Sequence, residues 1–157
     1  MRNNQCFVDT GAFIALNDSS DQHFHDAVEI ASQLGGCTFV VSDAIINETY
    51  TLLRYRLGFH PASRFLNMVL ANDDYQIVNV SHEMRMETFR LLEKYNDQKV
   101  SYCDALSVTI MQKMKINRIF AFDRHFDILG VNRIFLMKKD DGHLLAEKPT
   151  GKAGGFR

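Results

Sequence analysis

The sequence predicts an α/β fold class: a three-layer α/β/α sandwich with a central, mainly parallel β-sheet. Short apolar runs alternate along the chain with segments in which apolar residues recur at helical spacing. Two of these runs end in an aspartate, at Asp9 and at Asp123, and the helical segment at 103–114 carries apolar residues on nearly every side. With 157 residues and 46% apolar content, the chain can bury one domain's core under helices on both faces of a sheet.

Apolar periodicity, together with turn and capping residues, assigns the elements in chain order. A strand at 6–8 leads directly into a helix at 10–16, and a second helix runs over 25–34 until a Gly-Gly pair ends it. Ser42 is placed to cap a helix at 43–57, and Ser81 is placed to cap one at 83–95. The remaining elements are strands at 38–41, 75–80, 118–122 and 133–137, and helices at 61–71 and 103–114. No internal repeat interrupts this order, which favours a single doubly wound sheet.

Charge is unevenly distributed along the chain, although the formal net charge is only −1. Residues 1–80 contain four Lys or Arg against nine Asp or Glu, and residues 81–157 contain fourteen against ten. An acidic centre with basic residues further along suits a polyanionic substrate. Ordinary solvated helix faces would give similar counts.

The three cysteines, Cys6, Cys37 and Cys103, are widely spaced and lie in apolar runs. We therefore expect buried free thiols rather than a disulfide framework or a zinc site. No stretch reaches the roughly 18 apolar residues of a membrane span, and the first residues lead into a strand rather than a signal peptide. The expected location is the cytoplasm, without a membrane partner.

Asp104 and Asp123 lie where a buried helix begins and where a strand ends. An open parallel sheet brings strand ends and helix N-termini together at its ligand crevice, so both carboxylates can reach one spot. Each residue also has an ordinary structural interpretation. Ser101 with Asp104 is similar to a capping box, and a strand-end aspartate often forms a turn. For either residue alone, the structural interpretation is the favoured one.

Asp9 repeats the strand-end placement, and its alternative role is to cap the helix that follows. Glu48 shares a helical stripe with three apolar neighbours, because positions three and four apart lie side by side on a helix: Ile45, Leu52 and Tyr55. We expect Glu48 to point inward. A carboxylate there is costly unless it is paired or bound to a metal ion.

Four acids therefore form one candidate site: Asp9, Glu48, Asp104 and Asp123. Hard divalent cations such as Mg²⁺ or Mn²⁺ prefer oxygen ligands of this kind. One or two such ions can acidify a water, stabilise a leaving oxygen and neutralise phosphate charge. Phosphodiester hydrolysis becomes the leading class of chemistry.

Other catalytic patterns carry less weight. His23 and His25 are two residues apart and would not share a helix face, so we expect exposed or capping histidines. His125 follows the last acid by two residues and is interpreted as a turn residue or a phosphate contact. The Gly-Gly pairs lack the spacing and the Lys-Ser/Thr flank of a phosphate-binding loop.

The sequence resembles the PIN-domain family of metal-dependent ribonucleases, especially the VapC-type toxins of type II toxin-antitoxin pairs. The resemblance lies in four segments: FVDTGAFIAL around Asp9, INETYTLL around Glu48, SYCDALSV around Asp104 and IFAFDRHFDILGV around Asp123. The last two segments, in this order and spacing, are fairly specific. By this resemblance the four acids are catalytic and bind the metal, Thr10 is a supporting hydroxyl, and the products end in a 5′-phosphate and a 3′-hydroxyl.

The resemblance implies Mg²⁺ or Mn²⁺ as cofactor, RNA as substrate and a cognate antitoxin as inhibitor. We further expect a homodimer, a PIN-like nuclease domain over residues 1–139, and a polar tail over 140–157 that is mobile or binds a partner. The antitoxin would lie beside the Glu48 helix, although burial in the core is the favoured fate of each apolar candidate for that groove: Phe13, Leu52, Leu53 and Tyr55.

Three alternatives remain at this point: a catalytically silent RNA- or protein-binding module of the same fold, a housekeeping RNA-processing nuclease, and an unrelated phosphohydrolase. The intact set of four acids argues against the silent module. A haloacid-dehalogenase-like phosphatase would need an aspartate two residues after Asp9, where this chain has Gly11.

Overall fold

The computed structural model describes residues 4–134, together with the backbone of residues 139–140 and 143–144. Its main sheet has four strands: β1 (Gln5–Val8), β2 (Thr38–Ser42), β3 (Tyr75–Val78) and β4 (Ile119–Phe120). All four pair in parallel, in the order β3-β2-β1-β4. A separate two-stranded antiparallel ladder joins β5 (Lys139–Asp140) to β6 (His143–Leu144).

Within residues 4–134, seven helices surround the main sheet: α1 (Thr10–Asn17), α2 (Phe24–Gln33), α3 (Asp43–Leu57), α4 (Phe59–Ala71), α5 (His82–Lys94), α6 (Tyr102–Met114) and α7 (His125–Ile128). Helix α3 packs on α1 and α4, whereas α6 packs on α5 and α7. The helices thus form two groups around one parallel sheet, which confirms the predicted α/β/α sandwich. Among the described helices, none combines the length and apolar character needed to cross a membrane.

The predicted helix caps are present. Ser42 Oγ accepts a hydrogen bond from the Ile45 amide at 3.3 Å, and Ser81 Oγ accepts one from the Met84 amide at 3.1 Å. These bonds satisfy backbone donors that would otherwise lack partners in the first turns of α3 and α5. Helix α6 is buried along most of its length, as its apolar sequence predicts.

Some element boundaries differ from the prediction. Helix α4 begins at Phe59 rather than Pro61, because Gly58 adopts a φ of 92° and separates it from α3. Proline is tolerated within the first turn, where its missing N–H needs no intrahelical partner. Strand β3 ends at Val78 and β4 spans two residues, so Asp123 lies in the loop after β4 instead of at its last position.

The last predicted strand, at 133–137, is only partly described. Arg133 forms a parallel bridge with Ile119, and the Ile134 amide donates to the Ile119 carbonyl at 2.8 Å. Residues 135–137 lie outside the described part of the chain, as do 145–157 of the predicted tail. The division between residues 139 and 140 falls within β5 and stays a prediction.

The core lies on both sides of β1, where Cys6 and Phe7 are fully buried. Cys6, Cys37 and Cys103 are all buried free thiols, as predicted. Burial raises the pKa of the Cys6 thiol to about 12. This packing fixes the carboxyl ends of β1 and β4 side by side, which is where the candidate site begins.

Candidate active site

Asp9 follows the last residue of β1 and is held against β4. Its amide donates to the Phe120 carbonyl at 3.0 Å, and its side chain accepts from the Gly11 amide at 3.3 Å. Asp9 is therefore the N-cap of α1, so the structural interpretation of this residue is also correct. Its side chain is only 5% exposed, which is unusual for a carboxylate.

The pKa of Asp9 is raised to about 7, first by burial and then by the charges of Asp104 and Glu48. Among the described residues, no Lys, Arg or His forms an ion pair with it. A buried carboxylate that faces two other acids without a counter-charge is a costly arrangement for a purely structural role. It is an arrangement that a bound cation would stabilise.

Glu48 lies on α3 and is half-buried. The buried arc of this helix consists of Ile45, Ile46, Thr49 and Leu53. Its centre is at Thr49, so Glu48 lies at the edge of the buried face and not in the middle of a stripe. The prediction that Tyr55 faces inward beside Glu48 is wrong, because Tyr55 is 84% exposed and lies outside that buried arc.

Thr10, predicted as a supporting hydroxyl, is buried at the first position of α1. Its Oγ1 accepts a hydrogen bond from Thr49 Oγ1 at 3.4 Å. This bond joins the start of α1, next to Asp9, to the turn of α3 that carries Glu48. The hydroxyl pair therefore helps to fix the relative position of two of the acids.

Asp104 lies in the first turn of α6 and is half-buried. Its amide donates to Ser101 Oγ at 3.0 Å, so the predicted serine cap is present. Burial raises the pKa of Asp104, and the charges of Asp123 and Glu48 raise it further. The pKa of Asp104 is thus raised by acids on two other elements, the loop after β4 and helix α3.

Cys103 lies beside the acids. The pKa of its thiol is raised strongly, first by burial and then by the charges of Glu48, Asp9 and Asp104. From the sequence, only a buried place in the core is expected for Cys103. Its proximity to the acids could not be inferred from its apolar neighbours in the chain.

Asp123 is exposed in the loop between β4 and α7. Its Oδ1 accepts from the His125 amide at 2.8 Å and lies 3.1 Å from His125 Nδ1. One ligand atom each from Asp104, Asp123 and His125 lies within 4.8 Å of the others, so this group could hold a metal ion. The sequence predicts a turn residue or a phosphate contact for His125. Its D-x-H spacing after a strand is the signal that could have placed it beside the acids.

His23 is half-buried, and its ring stacks on Phe122 with a centroid separation of 4.4 Å and an interplanar angle of 4°. The structure places it before α2 as the N-cap residue, without a side-chain capping bond. It contributes no metal-binding atom to the group described above. Its stacking instead covers the residue that precedes Asp123.

The four predicted acids are therefore linked in one chain of electrostatic neighbours. The charges of Asp104 and Glu48 raise the pKa of Asp9, and the charges of Asp123 and Glu48 raise the pKa of Asp104. The donor set is made of carboxylate oxygens with one imidazole nearby, which fits a hard divalent cation such as Mg²⁺ or Mn²⁺. The residues present are thus compatible with a metal-dependent centre.

Comparisons with known proteins identify the family of the chain. A family model described as the PIN domain matches residues 6–132. The 23S rRNA-specific endonuclease VapC20 of Mycobacterium tuberculosis is 26% identical over 124 residues, covering 79% of this chain and 93% of that protein. Ribonuclease VapC26 of the same organism is 27% identical over 123 residues, covering 78% and 90%.

A solved structure provides a second comparison. The crystal structure of M. tuberculosis VapC20, described as a sarcin-ricin loop cleaving toxin, matches with a TM-score of 0.77 at 23% identity. The match covers 83% of this chain and 99% of that chain, and at this identity it shows the fold alone. Because the PIN model matches residues 6–132, most of the chain and every candidate acid, this chain belongs to the PIN-domain family.

Proposed function

We propose that this chain is an endoribonuclease that depends on a divalent metal ion and acts in the cytoplasm as the toxin of a toxin-antitoxin pair. The observation that carries the proposal is Asp9: a buried carboxylate with a raised pKa, next to two other acids and without a counter-ion among the described residues. The matched relatives are named as RNA-cleaving enzymes, which gives the phosphodiester of RNA as the bond to be broken.

Asp9, Glu48, Asp104 and Asp123 are the proposed metal ligands and catalytic residues. Mg²⁺ or Mn²⁺ held by these residues would supply Lewis acidity, which polarises the phosphate and lowers the pKa of a water so that it can lose a proton before attack. His125 holds the exposed Asp123 in place, since its amide and Nδ1 both contact the same carboxylate oxygen. That contact restricts a side chain that would otherwise rotate freely in a surface loop.

The protein's own contribution is to position the carboxylates. Asp9 is fixed by its capping bond to α1 and by the ladder to β4. Glu48 lies on the turn of α3 that the hydroxyl bond between Thr49 and Thr10 joins to the start of α1. Rigid support of this kind allows several like charges to stay close together and bind a cation with little rearrangement.

The antitoxin surface must be revised from the sequence expectation. Phe13 and Leu53 are buried in the core and cannot contact a partner, and Leu52 is partly buried. Tyr55 and Phe59 are exposed at the junction of α3 and α4. We propose that Tyr55 and Phe59 contact the cognate antitoxin or a second copy of the chain. Burial of large aromatic side chains contributes much of the binding free energy of a protein interface.

Cleavage of RNA by purified protein tests the proposal. Ribosomal RNA is the first substrate to examine, because one matched relative is named for its action on 23S rRNA. Asp104→Asn should lower the cleavage rate by at least about a hundredfold, since removal of a metal-binding carboxylate removes transition-state stabilisation. Asp73→Asn, an exposed change away from the acids, is the matched control and should cleave normally.

The same preparation distinguishes the alternatives. Binding of RNA without cleavage at any metal concentration would favour a catalytically silent module and contradict the enzyme proposal. Cleavage that persists at the wild-type rate in Asp104→Asn, in protein free of contaminating nuclease, would show that the acids are not the catalytic group. Co-expression with the small protein encoded next to this gene should yield an inhibited complex. If the protein instead is active, harmless to the cell and not bound by that neighbour, the toxin role fails and a housekeeping nuclease is the remaining function.

A further inference from the structure

A depression in the surface lies at the carboxyl end of β3, separate from the acidic group. Its volume is about 330 Å³, and its walls come from the first turns of α3, α5 and α6 and from the residues after β3. The charged, polar and aromatic side chains that line it are Asp43, Asn79, Arg85 and Tyr102. None of them belongs to the proposed metal site.

The depression is close to the acids through shared helices. Tyr102 precedes Asp104 by two residues on α6, and Asp43 opens the same helix, α3, that carries Glu48. In the sheet, β2 lies between β3 and β1. Adjacent strands are about 4.8 Å apart, so the end of β3 lies roughly 10 Å from the end of β1. A nucleotide next to the one at the metal site could reach the depression.

The lining residues are free to contact a ligand. The ring of Tyr102 is 48% exposed and makes no contact with another aromatic ring in the described part of the chain. Arg85 is exposed and forms no ion pair with a carboxylate of residues 4–134. Asn79 is exposed as well. Within residues 4–134, the side chains of Asn79, Arg85 and Tyr102 therefore lose no internal partner when a ligand enters.

The chemistry of this lining matches one kind of ligand. An exposed tyrosine ring offers a face on which a base can stack, and stacking is a main source of affinity for single-stranded nucleic acid. Asn and Asp side chains read exocyclic amino groups and ring nitrogens of bases, and arginine binds phosphate or a guanine edge. Uracil has no amino group for Asp43, and a purine presents a larger surface to the ring.

We infer that this depression is a base-binding subsite, which holds a purine of the RNA strand stacked on Tyr102. Asp43 and Asn79 contact the edge of the purine, and Arg85 contacts that edge or the adjoining phosphate. The inference rests on the proposed ribonuclease function and extends it from the cleaved phosphate to a neighbouring nucleotide. It predicts that recognition and catalysis are separable: the subsite determines RNA affinity, and the acids determine the rate of cleavage.

Binding of labelled oligoadenylate and oligouridylate, measured by fluorescence anisotropy on the non-cleaving Asp104→Asn protein, tests the subsite. Adding Tyr102→Ala should weaken oligoadenylate binding about tenfold, within the range for loss of one base stack. Tyr102→Phe keeps the ring and should stay within about twofold of the parent. Tyr55→Ala removes a tyrosine that is more exposed, at 84%, and lies on α3 instead of α6, and it should leave oligoadenylate affinity unchanged. Oligouridylate should bind more weakly than oligoadenylate in the parent and lose less in Tyr102→Ala.

Kinetics separate this inference from the proposed function. In protein with the acids intact, Tyr102→Ala should raise KM about tenfold and leave kcat within about threefold, whereas Asp104→Asn should lower kcat. If the intact protein cleaves no RNA, the proposed function fails, and the anisotropy measurement still decides the subsite. Unchanged oligoadenylate affinity in Tyr102→Ala overturns the inference. A Tyr102→Ala protein that binds RNA normally but no longer binds a co-expressed protein also overturns the inference, because the depression would then be a protein-docking site.

Discussion

Replacement of Asp9 by asparagine is expected to stabilise the metal-free protein at neutral and higher pH. Burial, together with the neighbouring charges of Asp104 and Glu48, raises the Asp9 pKa from 3.8 to about 7 in the folded state. The unfolded chain keeps the ordinary value. Because each pKa unit corresponds to about 1.4 kcal/mol, the ionised carboxylate lowers the free energy of unfolding by about 4 kcal/mol.

The sign of the pH dependence follows from proton binding. Between about pH 4 and pH 7 the folded state binds more protons at Asp9 than the unfolded state does, so stability falls as the pH rises and levels off above the folded pKa. Asparagine carries no charge, and its side-chain oxygen can still accept the bond from the Gly11 amide. The advantage of Asp9→Asn should therefore be near zero at about pH 4 and approach 4 kcal/mol near pH 8.

Urea unfolding of chelator-treated protein at acidic and alkaline pH measures this difference. Asp73→Asn is the matched control, because Asp73 is exposed and the same substitution there should change stability by no more than about 0.5 kcal/mol. Mg²⁺ should stabilise the wild type and have a smaller effect on Asp9→Asn. If Asp9→Asn is destabilised near pH 8, or differs from wild type by the same amount at both pH values, the electrostatic reasoning is refuted.

Three further changes test the supports of the site and the packing around it. His125→Gln should weaken Mn²⁺ binding by roughly 10- to 100-fold in a metal titration, as loss of a residue that positions a ligand does, while the exposed control His60→Gln should have no effect. Thr49→Val should cost about 1 to 3 kcal/mol in urea unfolding, because it leaves its buried partner hydroxyl on α1 without a donor; a neutral change would show that the bond is unimportant. Leu53→Ala should cost about 2 to 5 kcal/mol, whereas Tyr55→Ala on the same helix should stay within about 0.5 kcal/mol, and equal losses would contradict the assigned helix face.

Local sequence patterns predicted the parts of the fold that depend on local interactions. The apolar runs before Asp9 and Asp123, the serine caps at Ser42 and Ser81, and the fully apolar helix α6 are all present in the structure. Each of these signals acts over a few residues, through burial of alternate positions or satisfaction of a backbone amide. The predicted α/β/α sandwich followed from their alternation.

Features that depend on tertiary packing were predicted less well. The predicted orientation of α3 is wrong at Tyr55, because the buried arc is centred on the polar Thr49 whereas the large aromatic Tyr55 is exposed. Helix α7 has only four residues, too few to show a helical period. The placement of His125 and Cys103 near acids of other elements, and the depression that contains Arg85, depend on packing between elements far apart in sequence.

The most direct test of the central claim is RNA cleavage by chelator-treated protein as metal is added back. If the carboxylates hold a catalytic cation, activity should be absent after chelation and should return in a saturable manner with Mg²⁺ or Mn²⁺. Ca²⁺, which is larger and less strict in geometry, should bind without supporting turnover. Cleavage that continues at the wild-type rate in the absence of any divalent ion would contradict the proposed role of Asp9, Glu48, Asp104 and Asp123.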